Sequence, residues 1–184
     1  MKQKFCAFVL RICGWTIDGG LPPADKCVIL GAPHTTIWDF LLAYLYYAAL
    51  GGSAKCMVKK EFFRIPILGS IVKRMGGVPV DRSSATAMVK SLVDTMNASE
   101  KFHLAIAPEG TRKPVSPWKA GFHLIARACN VPVYLVYFDW GRKRIGWWME
   151  FKLTDNARED VKRLQLEYEK MDIIAKHPEN YRTR

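Results

Sequence analysis

Apolar residues fall along this chain in short blocks divided by polar turns, and the repeat inside the blocks switches between that of a strand and that of a helix. CVILGAP (27–33) is a β-branched run that predicts a buried strand, and a helix is expected from about Thr36 through FLLAYLYYAAL (40–50), stopped by Gly51 and Gly52. AKCMVKK (54–60) and GVPVDR (77–82) are strand candidates. EFFRIPILGSIVKRMGG (61–77) between them is broken by Pro66 and by glycines, so a short helix with irregular turns is predicted. Ala85, Met88, Val89, Leu92, Val93 and Met96 form a helical stripe within 83–99, with Ser83 or Ser84 as its N-cap. FHLAIA (102–107) reads as a strand, PEGTRKPVSP as a loop and WKAGFHLIARAC (118–129) as a helix. VPVYLVYFD (131–139) and WWMEFKL (147–153) read as strands around the basic turn WGRKRIG. Val161, Leu164, Tyr168, Met171 and Ala175 mark a last amphipathic helix, and the tail HPENYRTR is expected to fray. At the other end, the polar turn DGGLPPADK (18–26) closes a first helix.

Strands that alternate with helices, several of them apolar throughout, predict an α/β fold: a single domain with a central, largely parallel mixed sheet covered by helices. The 184 residues contain no repeat and no low-complexity linker that would divide them. Sites in such sheets gather at strand C-terminal ends. Three polar sequences, GAPHTTIWD, PVDR and PEGTR, each directly follow a strand candidate.

Residues 1–16 stand apart from the domain predicted over 17–184. Phe5, Phe8, Val9, Ile12 and Trp15 recur at near-helical spacing beside Lys2, Lys4 and Arg11, a composition that suits either a lipid interface or a helix packed on the domain. Arg11 interrupts the apolar run and no small-residue cleavage site follows, unlike a signal peptide. The apolar run 40–50 is about half the roughly twenty residues a membrane span needs. Peripheral attachment to a membrane surface is therefore the expectation.

Charge sharpens that picture. Lys and Arg number 28 against 17 Asp and Glu, a net +11 that favours anionic partners: nucleic acid, phosphorylated metabolites or anionic lipid. Five scattered cysteines (Cys6, Cys13, Cys27, Cys56, Cys129) fit neither a disulfide framework nor a zinc ribbon and suit a reducing, cytoplasmic setting.

Two candidate chemistries emerge from the polar clusters. His34 and Asp39 are five positions apart, which on one continuous helix would rotate them by about 140° and keep them from meeting. Pairing requires His34 in a turn and Asp39 in the first helical turn. Pro33 and Thr36 permit this, since Pro33 opposes helix before it and Thr36 can be the N-cap. Asp39 can then complete a capping box with Thr36, hold the imidazole in the tautomer that leaves Nε2 free as a base, or do both from the same position. No nucleophile elbow or metal-ligand spacing accompanies the pair, and His103 and His123 fall within strand and helix patterns as packing residues. A base without an enzyme nucleophile suggests direct transfer, in which the substrate's own hydroxyl attacks. PEGTR (108–112) supplies turn N–H groups, the Thr111 hydroxyl and the Arg112 guanidinium, a set that matches a phosphate, with Arg82 and Lys119 able to join.

Taken in order, these clusters resemble the glycerol-3-phosphate and 1-acylglycerol-3-phosphate (lysophosphatidate) acyltransferase superfamily. Its H-x4-D block is matched by His34 and Asp39, its second block by GGVPVDR with Gly77 and Arg82, and its P-E-G-T-R block without change by Pro108 to Arg112. Its V-P-[IV] strand is matched by Val131, Pro132 and Val133, and its lysine-glycine pair by Lys119 and Gly121. The likeness spans about residues 26–140. Pro33, Thr36 and Ala107 stand where many members have Asn, Ser and Phe, and Trp118 precedes Lys119 where Phe is more usual.

The resemblance implies that His34 is a general base oriented by Asp39, and that Arg82, Glu109, Gly110, Thr111, Arg112 and Lys119 form the acceptor site. It implies an acyl thioester donor, acyl-CoA or acyl-carrier protein, and a lysolipid or phosphorylated acceptor, with no further cofactor and no metal. A thioesterase using the same site, or a non-catalytic basic module binding lipid or nucleic acid, are the rival readings. Intact His34, Asp39 and Glu109 weigh against the module, and no RNA-binding signature of stacked aromatics and basic residues is present.

Overall fold

The central strand, Lys26–Ala32 (β2), alternates its side chains between two cores, as a pleated strand between two helical layers must. The computed structural model describes residues 1–80 and 85–183. On one face, Val28, Leu30 and Ala32 pack with helices Ala85–Asn97 (α4), Gly121–Cys129 (α5) and Ala157–Lys170 (α6), through Leu92, Met96, Phe122, Ile125, Leu164 and Tyr168. On the other, Cys27 and Ile29 pack with Lys2–Ile12 (α1) and Trp38–Ala49 (α2), through Cys6, Leu10, Leu42, Tyr46 and Tyr47.

The remaining strands are Thr16–Asp18 (β1), Ala54–Lys59 (β3), Gly77–Val80 (β4), Phe102–Ile106 (β5), Val133–Asp139 (β6) and Arg144–Glu150 (β7). They form a seven-stranded sheet in the order β1-β7-β6-β2-β5-β3-β4. All pairs are parallel except β6 with β7. This is the α/β, largely parallel mixed sheet expected. Because β5, β2 and β6 are adjacent and parallel, the loops after Ile106, Ala32 and Asp139 emerge side by side at one sheet edge. Inside that edge the Tyr168 hydroxyl of α6 lies 2.6 Å from Leu30 O and 2.8 Å from Val136 O, tying α6 to both β2 and β6.

Several local expectations need correction. Residues 61–77 do fold as a 3₁₀ turn, Lys60–Arg64, and a short helix, Leu68–Arg74 (α3). Strand β1 is missing from the sequence reading, because three residues carry too short an alternation to register. α5 starts at Gly121 rather than Trp118, since Lys119 N–H donates to Pro108 O (2.8 Å) and keeps 118–120 in the loop. β7 starts at Arg144, inside the presumed basic turn. The last helix ends at Lys170, with Asn156 capping its start by accepting from Arg158 N and Glu159 N. The N-cap proposed at Ser83 or Ser84 lies outside the described residues.

The tail is the largest departure. Instead of fraying, it runs along the molecule: Trp140 N–H donates to Ile174 O (2.9 Å), Ala175 is buried, Trp118 Nε1–H donates to Arg182 O (2.8 Å) and Gln165 Nε2–H to Thr183 O (2.7 Å).

α1 packs on α2, and the face it buries is not the Phe5, Phe8 and Ile12 stripe. Cys6 and Leu10 (2 % exposed) are buried, whereas Phe5, Phe8 (59 %) and Ile12 point away from the domain. The helix carries two apolar stripes: Phe5, Phe8 and Ile12 lie within about 60° of one another, with Cys6 and Leu10 turned about 100–140° from Phe5. Among the described residues no helix is long and apolar enough to cross a membrane. The two faces make a direct contrast in stability. Leu10→Ala should cost about 2–5 kcal/mol in urea unfolding, and Phe8→Ala less than about 0.5 kcal/mol. Equal losses would contradict the orientation of α1.

Candidate active site

The turn leaving β2 puts His34 outside the helix and Asp39 inside its first turn, the arrangement the five-residue spacing requires. α2 begins at Trp38 with Ile37 as its N-cap, a residue with no side-chain hydrogen bond to offer. Asp39 compensates. Its Oδ2 accepts from the N–H groups of Thr35 (2.8 Å) and Thr36 (2.9 Å), the reach-back half of a capping box. Thr36 Oγ1 accepts from Trp38 N at 3.4 Å. The same Oδ2 lies 3.4 Å from His34 Nδ1, and Oδ1 accepts from Trp140 Nε1–H at 2.7 Å. The carboxylate, 1 % exposed, thus braces the helix and faces the imidazole at once. Capping and pairing coexist in one side chain. A carboxylate oxygen beside Nδ1 favours a proton on that nitrogen electrostatically, the Nδ1–H tautomer in which Nε2 is the unprotonated nitrogen. The His34 side chain keeps 24 % exposure.

Glu109 approaches from the next loop. It follows β5, the neighbour of β2, and its Oε1 accepts from the backbone N–H of His34 at 2.7 Å. Glu109 is 4 % exposed, and burial pushes its carboxyl up from the ordinary 4.5 to about 7, with the His34 N–H opposing and Asp39 reinforcing the shift. Its second oxygen, Oε2, is buried with no hydrogen-bond partner among the described residues. The loop turns sharply at Gly110, which has φ +67 and donates to Ala107 O (3.0 Å). A Cβ there would meet Lys119 Cγ at 3.0 Å, so both the backbone angle and the close approach call for glycine.

His34, Asp39 and Glu109 are therefore in direct mutual contact or one bond removed. Gly110, Arg112 and Lys119 are exposed on the adjacent loop and Thr111 is half-buried, with its Oγ1 accepting from Lys113 N at 3.2 Å. Arg82 lies outside the described residues. His103 and His123 pack as expected: His103 Nε2 is 2.7 Å from Ala24 O, and His123 Nε2 is 2.9 Å from Thr154 O.

Trp140 was not among the residues singled out from the sequence. It directly follows β6, so the strand-end rule that found the other loops reaches it, but the cluster WGRKRIG reads as a basic turn and hides an indole donor. Thr35 was missed as well; its hydroxyl accepts from His177 N at 3.3 Å.

The raised Glu109 carboxyl has a consequence for stability. The folded state holds that proton more tightly than the unfolded chain, so Glu109 subtracts stability as pH rises from about 4.5 to about 7, by at most about 3 kcal/mol, and by a constant amount above. Urea unfolding of Glu109→Gln against the parent should show the variant gaining relative stability between pH 5 and 7.5. A difference that stays constant over that range would contradict a raised Glu109.

Comparisons with known proteins give the family and the fold. A family model described as Acyltransferase matches residues 20–139, more than half of the chain. The 1-acyl-sn-glycerol-3-phosphate acyltransferase of Streptococcus pneumoniae is 28% identical over 194 residues, covering 90% of this chain and 71% of that protein. The enzyme of the same name from Bacillus subtilis is 28% identical over 139 residues, covering 71% and 67%. The 1-acyl-sn-glycerol-3-phosphate acyltransferase BAT2, chloroplastic, from Brassica napus is 31% identical over 117 residues, 61% of this chain and 33% of that one. The fold is that of the crystal structure of the 1-acyl-sn-glycerophosphate acyltransferase PlsC from Thermotoga maritima, with a TM-score of 0.63 at 17% identity over 95% of this chain and 80% of that one. The match runs from just before β2 to the end of β6 and so takes in the loops that carry His34, Asp39 and Glu109: this chain belongs to the acyltransferase family, homologous to the 1-acyl-sn-glycerol-3-phosphate acyltransferases.

Proposed function

We propose that this acyltransferase moves a fatty acyl group from acyl-CoA or acyl-carrier protein to a hydroxyl of a lysolipid or glycerol-phosphate-type acceptor by direct transfer. The observation that carries the proposal is the His34 Nδ1 to Asp39 Oδ2 approach, 3.4 Å, with Asp39 fixed by three further donors. His34 Nε2 takes the proton of the acceptor hydroxyl as its oxygen attacks the thioester carbonyl carbon. The tetrahedral oxyanion collapses, the carbon–sulfur bond breaks, and the imidazolium returns its proton to the leaving thiolate. Asp39 stabilises the imidazolium between those two steps.

Glu109 braces rather than touches the acceptor in this reading: its carboxyl is buried and bound to the His34 backbone. Exposed Arg112 and Lys119, with Gly110, Thr111 and Arg82, supply the phosphate-holding set. The charge of +11 suits an anionic donor and acceptor. Attachment is peripheral, on the cytoplasmic face of a membrane, through residues 1–16. Met1, Phe5, Phe8 and Ile12 offer the outward apolar stripe, and Lys4 and Arg11 flank it for anionic headgroups.

Assays with acyl-CoA and acyl-carrier protein against a panel of lysolipids should find His34→Ala and Asp39→Asn reduced by at least about 10²-fold. Activity within tenfold of the parent would remove His34 as the base, and thiol release that needs no acceptor would favour a thioesterase. For the surface, replacing Phe5, Phe8 and Ile12 together by serine should weaken sedimentation with anionic vesicles by at least about tenfold. Unchanged binding would take α1 out of the membrane contact.

A further inference from the structure

The last ten described residues cross the three strand-end loops that build the site, in the spatial order of their strands. At β6, Ile174 O accepts from Trp140 N, and the Lys176 ammonium sits 4.3 Å from the centre of the Trp140 ring and 5.6 Å from that of Trp38. At β2, His177 N donates to Thr35 Oγ1. At β5, the tail reaches the PEGTR loop, where the Tyr181 ring lies 6.1 Å from that of Trp118 and Trp118 Nε1 donates to Arg182 O. Each anchor touches a residue that holds or neighbours the catalytic pair: Trp140 binds Asp39, Thr35 N binds Asp39, and Trp118 lies in the loop bearing Glu109.

Two buried polar atoms at the end of this path have no hydrogen-bond partner among the described residues: Glu109 Oε2 and the Tyr181 hydroxyl. The two side chains lie close enough to feel one another's charge, and both act on Tyr168 in α6. A carboxylate accepts only and a phenol donates, so the pair is complementary, and leaving both unpaired would cost about 1–3 kcal/mol for each. No direct bond joins them, which is the situation a single ordered water resolves by accepting from the phenol and donating to the carboxylate.

We propose that residues 174–183 are a strap over the site and that Tyr181 is a positioning residue, linked to Glu109 Oε2 through one water and, by way of Glu109 Oε1, to the backbone of His34. The groups facing Glu109 are His34 on the loop after β2, Asp39 on α2, Tyr168 on α6 and Tyr181 on the strap, and Tyr181 also feels the charge of Glu169 on α6. Donation from Tyr181 favours the ionised carboxylate, whose Oε1 is the acceptor the His34 N–H needs. Without it, Glu109 keeps its proton to higher pH and, as a neutral carboxyl, holds the His34 N–H by a weaker bond over that interval. The effect on rate rests on the reading of His34 as base, but the effect on Glu109 does not.

Tyr181→Phe tests this while preserving the ring packed near Trp118, with urea unfolding as the check that the fold is kept. Carbon-13 NMR of the Glu109 carboxyl, assigned through Glu109→Gln, should show its midpoint rising by at least about half a pH unit in Tyr181→Phe. The acidic limb of kcat/KM should move up by the same amount, with activity recovering at high pH. An unmoved Glu109 midpoint overturns the link, whatever the rate does. A moved midpoint with a uniform rate loss at every pH overturns the positioning role and points back to the assignment of His34.

Discussion

A carboxylate sealed from water is tolerated only when its oxygens are filled, and in this molecule the filling of Asp39 organises everything around it. Thr35 N, Thr36 N and Trp140 Nε1 donate to its two oxygens, and His34 Nδ1 stands beside them. Those partners come from the turn after β2 and from the residue after β6. The aspartate therefore binds two strand-end loops together as well as opening α2. Removing one donor would leave a buried charge short of its partners, so the geometry of the pair is held more firmly than a 3.4 Å approach alone would indicate.

The second buried acid works from the opposite side. Glu109 takes hold of the His34 backbone rather than its ring, and it arrives from β5, the other neighbour of β2. His34 is thus held at its main chain by one carboxyl and faced at its ring by another, while the side chain keeps 24 % exposure. The parallel order β5-β2-β6 is what makes this possible, because it brings three loops to one edge without any long excursion of chain. The two acids differ in environment. Asp39 has its donors from the protein, whereas one Glu109 oxygen has no hydrogen-bond partner among the described residues, and burial pushes its carboxyl up to about 7.

Much of this was legible in the sequence because it rests on local signals. The strand–helix alternation gave the architecture, and the break at Pro33 before a helix gave the only geometry in which His34 and Asp39 can meet. What stayed hidden depends on contacts between distant segments. Trp140 lies 101 residues from the aspartate it binds, and nothing near it in the chain marks an indole as a donor. HPENYRTR reads as a frayed end because its anchors, Thr35, Trp118 and Gln165, lie elsewhere. α1 stayed open for another reason: it has two apolar stripes, and only packing on α2 decides that Cys6 and Leu10 go inward.

The proposed mechanism requires Asp39 to hold the proton of neutral His34 on Nδ1, so that Nε2 can act as the base. Nitrogen-15 NMR of the His34 ring, assigned by its loss in a His34→Ala variant and followed through a pH titration, reports the neutral tautomer directly. The account predicts that neutral His34 carries its proton on Nδ1, with Nε2 showing the shift of an unprotonated nitrogen. A neutral ring protonated on Nε2, with Nδ1 bare beside the Asp39 carboxylate, would contradict it.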